Sequence, residues 1–156
     1  MSEGPAASGL VVRPATPGDL PRVVEMFELG SLVPGKEDAG DLEPYVRALR
    51  EIEQGSGALL VAEHDGAVVG VCQLVVFRHL QSRGGLCAEV ETVHVHPHWR
   101  GQGIGHHLMD AAIGRARAAG CYRIQLTSNR ARPDAHRFYE SLGFVPSHVG
   151  FKLALR

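Results

Sequence analysis

From Val93 to Gly105 the chain reads Val-His-Val-His-Pro-His-Trp-Arg-Gly-Gln-Gly-Ile-Gly, a set of residues suited to holding a phosphate. The stretch lies where a β-rich run gives way to a helical one. A helix start leaves backbone N–H groups unpaired and carries partial positive charge. Glycines let a ligand come close to that backbone. Gly101, Gly103 and Gly105 therefore suit a phosphate or diphosphate cradle, and Arg100 can add a charge-assisted contact. A tight turn with no ligand is the competing account of the same glycines. The spacing is not that of a dinucleotide site: the glycines alternate, and the next strand, Tyr122 to Thr127, carries no acid. The Gly-Lys-Ser/Thr of a nucleoside-triphosphate loop is also missing.

Other residues bear on the chemistry. His94, His96 and His98 alternate, but Pro97 interrupts them and no cysteine or carboxylate lies at ligand spacing, so no metal is expected. Strand alternation places Glu89, Glu91, Val93 and Val95 on one face, and His94 and His96 on the other, toward packing helices or solvent. Cys72, Cys87 and Cys121 are scattered and odd in number, which fits a reducing cytoplasm.

The whole chain sets bounds on these readings. It has 156 residues, 44% hydrophobic and 21% charged, with a formal net charge of −1. That suits one domain, taken as 10–156. There is no basic excess to drive nucleic-acid binding. No apolar run approaches the roughly 20 residues of a membrane span. Residues 1–9 are small and polar and read as a disordered leader without signal-peptide character.

The elements that must position these residues emerge from periodicity and turn signals. Leu10 to Arg13 reads as a strand. Thr16 or Asp19 can cap a helix running to about Leu29, and Asp41 to Gln54 has a second helical period. Ala58 to Glu63 and Ala67 to Phe77 flank His64-Asp65-Gly66, a hairpin signal. Ala88 to His96 is a strand, Gly103 to Ala119 a helix, and Tyr122 to Thr127 a strand. Pro133 to Leu142 is a helix, and Phe144 to Leu155 a last strand interrupted at Pro146 and Gly150. The order β-α-α-β-β-β-α-β-α-β is an α/β (α+β) arrangement with a mixed sheet.

Arg100-Gly101-Gln102-Gly103-Ile104-Gly105, after a valine-rich strand and Pro97, resembles the Gln/Arg-x-x-Gly-x-Gly/Ala signature of the GCN5-related N-acetyltransferases (GNAT family). Phe138-Tyr139-Glu140-Ser141-Leu142-Gly143-Phe144 resembles that family's later aromatic-Tyr…Gly-Phe segment. The stretch from Thr127 to Phe151 is also similar to the C-terminal part of aminoalkylphosphonate and other small-molecule N-acetyltransferases. The resemblance covers about residues 10–155. It implies the GNAT fold, with a mostly antiparallel central sheet, two splayed strands and about four helices. It also implies direct transfer, in a ternary complex, of the acetyl group of acetyl-coenzyme A to a primary amine of a small molecule. A protein or peptide amine is the alternative acceptor, and a non-catalytic coenzyme A-binding module the alternative function. A homodimer is a further expectation.

The resemblance also distributes roles. Backbone groups of Val93, His94 and Val95 would meet the acetyl-pantetheine arm, and Arg100, Gly101, Gln102, Gly103, Ile104, Gly105 and His106 the diphosphate. In the family's Asn-x-x-Ala-x-x-aromatic-Tyr pattern, Arg132 stands where Asn is usual. Asn129 or Arg132 then takes the coenzyme contact. Acetyl transfer needs a neutral amine, donors for the developing oxyanion and a proton for the departing thiolate. Tyr139 is the candidate acid, the alternative being that it only packs with Phe138. Glu91 is the candidate base, directly or through water, with Glu89 as the alternative. His136 lies three residues before Tyr139, near the same chemistry. The acceptor pocket is expected from residues 26–45, 78–88 and 145–151. Acids there (Glu28, Glu37, Asp38, Asp41, Glu43) would suit a cationic amine; Arg78 and Arg83 would suit an acceptor carrying an anionic group.

Overall fold

The computed structural model describes residues 9–156. The leader expected over 1–9 lies, except for Gly9, outside the described residues. One five-stranded sheet runs in the order β1-β2-β3-β4-β5. Its strands are β1 (Leu10–Pro14), β2 (Ala58–His64), β3 (Ala67–Arg78), β4 (Leu86–Val95) and β5 (Cys121–Leu126). The first three pairings are antiparallel, and β4 with β5 is parallel. The mixed, mostly antiparallel sheet is as expected. The Asp-Gly signal makes the β2–β3 turn: Asp65 and Gly66 have φ of 49° and 81°, the positive pair that a tight hairpin needs.

Helices cover both faces. α1 (Leu20–Gly30) and α2 (Glu43–Gln54) lie on one. Their Leu20, Val23, Met26 and Leu49 pack on Leu59, Val61, Val68 and Val71. α4 (Ile104–Ala118) and α5 (Pro133–Ser141) lie on the other. There Ile104, Leu108, Met109 and Ala112 pack on Leu60, Ala62, Val69, Cys72 and Leu74, with Phe138 and Tyr139 against the same cluster. Odd and even residues of β2 thus serve opposite cores, so the strand reads as a continuous apolar run. Among the described residues, no helix is long and apolar enough to cross a membrane.

Two details depart from the sequence reading. The loop after β3 contains a single turn, α3 (Gln81–Gly84), in which Ser82 and Arg83 have φ of 58° and 60°. The strand expected over Phe144 to Leu155 is absent; the chain beyond Ser141 forms no helix or strand. Alternation supplies faces but not a partner edge. Pro146 cannot donate to a ladder, and Phe151 and Leu153 stay 92% and 85% exposed.

The site is shaped by where β4 and β5 part. Their pairing ends at Val90↔Leu126. β4 continues to Val95, held on its other edge by β3, with His94 opposite Val71 and Val95 opposite Gly70. The β5-facing edge of β4 beyond Val90 therefore has no strand partner. This is the splay expected from the resemblance.

Candidate active site

A cavity of about 190 Å³ opens at that splay, lined by Val93, His94, Thr127, Ser128, Asn129, Arg132, Ala135 and Tyr139. Five sequence candidates meet there: Val93, His94, Asn129, Arg132 and Tyr139. The polar run Thr127-Ser128-Asn129 lines it because β5 stops at Leu126.

The glycine-rich loop connects β4 to α4. Gly101 and Gly103 have φ of 74° and 81°, a conformation that side chains with a Cβ rarely adopt. Gly103 is the residue from which α4 starts. The first helical bond runs from the His107 N–H to the Gly103 carbonyl at 3.2 Å. The amides of Gly101 through His106 have no acceptor among the described residues. At Gly101 and Gly103, nothing lies within 4 Å of where a Cβ would stand. The backbone is thus both unpaired and uncovered. Ile104 is buried in the core, so it offers this loop only its backbone.

Two predicted side chains are occupied otherwise. Arg100 Nε donates to the Val95 carbonyl at 3.3 Å, and Gln102 Nε2 to the His98 carbonyl at 3.3 Å. Gly105 serves packing: a Cβ there would meet the Phe138 ring at 3.1 Å. That ring also touches the His106 imidazole edge-on, at 5.1 Å between centroids. The contact ties the start of α4 to α5, the helix that carries Tyr139.

The alternation expected along β4 fails at Thr92. Its φ is 50°, and the register with β3 shifts there, with Gln73 opposite Glu91 but Val71 opposite His94. This β-bulge inserts one residue and reverses the facing of the residues beyond it. Val93 and Val95 therefore join the α4-side core with Ala88 and Val90. His94 turns to the α1 side, opposite Val71 of the other core, on the Glu91 face. The expected sharing of one face by Glu91, Val93 and Val95, with His94 opposite, is corrected accordingly.

Tyr139 is half-buried against Phe138 and Phe144, and its hydroxyl has no hydrogen-bond partner among the described residues. Burial chiefly, with nearby Cys72, raises its pKa, while Arg132 opposes. Burial pushes Cys72 itself up to about 12, so that thiol stays neutral. Glu91 is half-buried and outside the cavity lining. Burial first, then the neighbouring Glu89 carboxylate, raises its pKa, and Lys152 of the C-terminal segment opposes. Glu89 accepts from Gln125 Nε2 at 2.8 Å.

Asn129 and Arg132 are also engaged. Asn129 Oδ1 accepts from the Ala131 N–H at 2.9 Å. A terminal guanidinium nitrogen of Arg132 donates to the Gly30 carbonyl at the end of α1. His136 is not in the lining; its Nε2 bonds the Asn129 carbonyl at 2.9 Å. On the expected acceptor side, Tyr45 Oη donates to Glu37 at 2.8 Å and accepts from the Asp38 N–H at 3.0 Å. Arg78 is bound to the Gly84 carbonyl at 2.8 Å. Gly30 falls within the expected 26–45 region, but its contact with Arg132 was not foreseen, and Lys152 lies outside every expected range, because only tertiary packing brings α1 and the C-terminal segment to β4. Among the described residues, no group of three His, Cys, Asp or Glu could hold a metal ion.

Comparison with known proteins agrees with this geometry. A family model described as the acetyltransferase (GNAT) family matches residues 24–144. An aminoalkylphosphonate N-acetyltransferase of Salmonella typhimurium is 39% identical over 61% of this chain and 61% of its own length. A mycothiol acetyltransferase of Thermobispora bispora is 31% identical over 83% of this chain and 50% of its own. The chain thus spans about half to three-fifths of these curated relatives. A crystal structure from Bacillus halodurans, described as a transcriptional regulator, superposes with a TM-score of 0.85 at 40% identity, covering 94% of this chain and 99% of that one.

Proposed function

The chain belongs to the GNAT acetyltransferase family, and from that premise we propose that it moves the acetyl group of acetyl-coenzyme A to a primary amine of a small molecule. The observation that carries this reading is the row of unpaired amides, Gly101 to His106, beside the cavity at the splay. Such amides, at a helix start with open space over two glycines, fit a diphosphate. When bound, acetyl-coenzyme A supplies an acetyl thioester and a thiol leaving group.

This chain's residues then divide the work. The loop amides hold the diphosphate. The edge of β4 at Val93 to Val95, which has no strand partner, offers backbone groups to the pantetheine amides. Tyr139 Oη, free of other bonds and kept protonated by burial, donates a proton to the departing sulfur. Glu91, whose carboxylate pKa is raised by burial and by the neighbouring Glu89, passes the amine proton to solvent. Two small-molecule acetyltransferases among the relatives support a small acceptor. Three free cysteines, Cys72, Cys87 and Cys121, fit a reducing cytoplasm.

The test is thiol release from acetyl-coenzyme A across a panel of amines, with coenzyme binding measured by calorimetry. The panel should include cationic diamines, aminoalkylphosphonates, amino sugars and a lysine peptide. Turnover on a small amine is expected. Binding without turnover on any amine would leave a coenzyme-binding module instead.

A further inference from the structure

We infer that the His94 imidazole is the group that takes the proton from the acceptor ammonium, with Glu91 next along the same face as the onward carrier. The inference deepens the transferase reading and rests on it.

The bulge at Thr92 makes this possible. It turns His94 out of the α4-side core and sets it opposite Val71, two residues along β3 from the Gln73 that faces Glu91. His94 lines the same cavity as Tyr139. Neither of its ring nitrogens has a hydrogen-bond partner among the described residues, so one remains available to accept a proton. The fold makes specific room for the ring. A Cβ on Gly30 would stand 2.2 Å from His94 Nδ1 and 2.6 Å from Cε1. No side chain larger than hydrogen fits while the imidazole stays. Phe27 of α1 flanks it, with ring centroids 5.4 Å apart.

The charged groups around the imidazole suit a base. Arg132 just before α5 and Arg100 after β4 both disfavour its protonation, and Glu37 from the α1–α2 loop opposes them. Burial acts first and in the same direction as the arginines. The ring is therefore neutral at neutral pH, while an acceptor amine arrives as an ammonium.

The step balances. The ammonium gives one proton to His94 and becomes a neutral amine. Its lone pair forms the C–N bond as the C–S bond breaks, and the sulfur keeps that electron pair. Tyr139 protonates the sulfur and regains a proton from the nitrogen. His94 releases its proton through Glu91 to solvent, so one proton leaves per turnover.

The test uses the full chain with an amine that the panel identifies. His94→Gln and the smaller His94→Asn are compared, so that one folded variant suffices, and Gly30→Ala displaces the ring without removing it. The wild-type acid limb should lie below about 6.5, the ordinary histidine value, because His94 is held below it. In the His94 variants, kcat/KM at neutral pH should fall by on the order of 10²–10⁴-fold. That limb should vanish, and the rate should recover as pH rises toward the amine's own pKa. Coenzyme binding by calorimetry should stay unchanged, and Gly30→Ala should move in the same direction as the His94 variants. A folded His94 variant that keeps the wild-type acid limb overturns the inference and leaves the transferase reading standing. So does a Glu91→Gln variant that alone abolishes the limb. A wild-type enzyme silent toward every amine overturns both.

Discussion

Replacing Tyr139 with Phe removes one oxygen and keeps the ring, so it separates chemistry from packing. The ring sits 5.2 Å from Phe138 and 6.1 Å from Phe144, centroid to centroid, and those contacts survive. The lost hydroxyl has no protein partner among the described residues, so no buried group is left orphaned. Unfolding free energy should therefore change by no more than about 0.5 kcal/mol. A general acid contributes on the order of 10²–10⁴-fold, which at about 1.4 kcal/mol per tenfold is about 3–6 kcal/mol of barrier. The fall should appear in kcat, with the Michaelis constant for acetyl-coenzyme A nearly constant, because the donation matters mainly in the transition state. Burial raises the phenol above its ordinary value of about 10, so the wild-type rate should decline only as pH passes that raised value. The Phe variant should lack this decline. Thiol release at saturating amine reads the rate, and urea unfolding reads the stability. A folded Tyr139→Phe enzyme with near wild-type kcat would mean that the tyrosine only packs.

The same geometry sets further outcomes. Gly103→Val forces a β-branched residue to a φ of 81° at the start of α4 and covers the open backbone, so coenzyme A affinity should fall at least about tenfold by calorimetry. Unchanged affinity in a folded variant would remove the amide cradle. Glu91→Gln should slow turnover at neutral pH by less than the His94 variants do, with coenzyme binding intact; a larger loss would reverse the order of the relay. Asp19 accepts two bonds from Arg13, at 2.8 and 2.9 Å, which with a lesser contribution from Thr16 hold its pKa at about 2 rather than 3.8. The lowered carboxylate stabilises the fold above its unfolded value, by about 2 kcal/mol. That contribution should fade as pH falls from about 4 through about 2. Urea unfolding of Asp19→Asn against wild type, at neutral and acid pH, should show the difference closing at low pH.

Periodicity and turn chemistry determined most of the architecture. Regular repeats of apolar residues marked α1, α2, α4 and β2 to β5 to within a residue or two, because burial of one face or both is a local demand on sequence. Asp65-Gly66 marked its hairpin and Gly101 to Gly105 the loop before α4, because those backbone shapes are open to few residue types. The sequence also brought Tyr139, Asn129 and Arg132 into consideration before any geometry was known. Tertiary structure decided the rest. Whether Phe144 to Leu155 forms a strand depends on a partner edge, which alternation does not encode. The bulge at Thr92 depends on how β4 registers against β3, and a one-residue insertion there moved His94 from the expected packing face to the cavity. Gly30 became a site residue only because α1 ends against that imidazole. Contacts between residues far apart in the chain carry no local pattern, so the direction of each side chain on β4 was settled by packing alone.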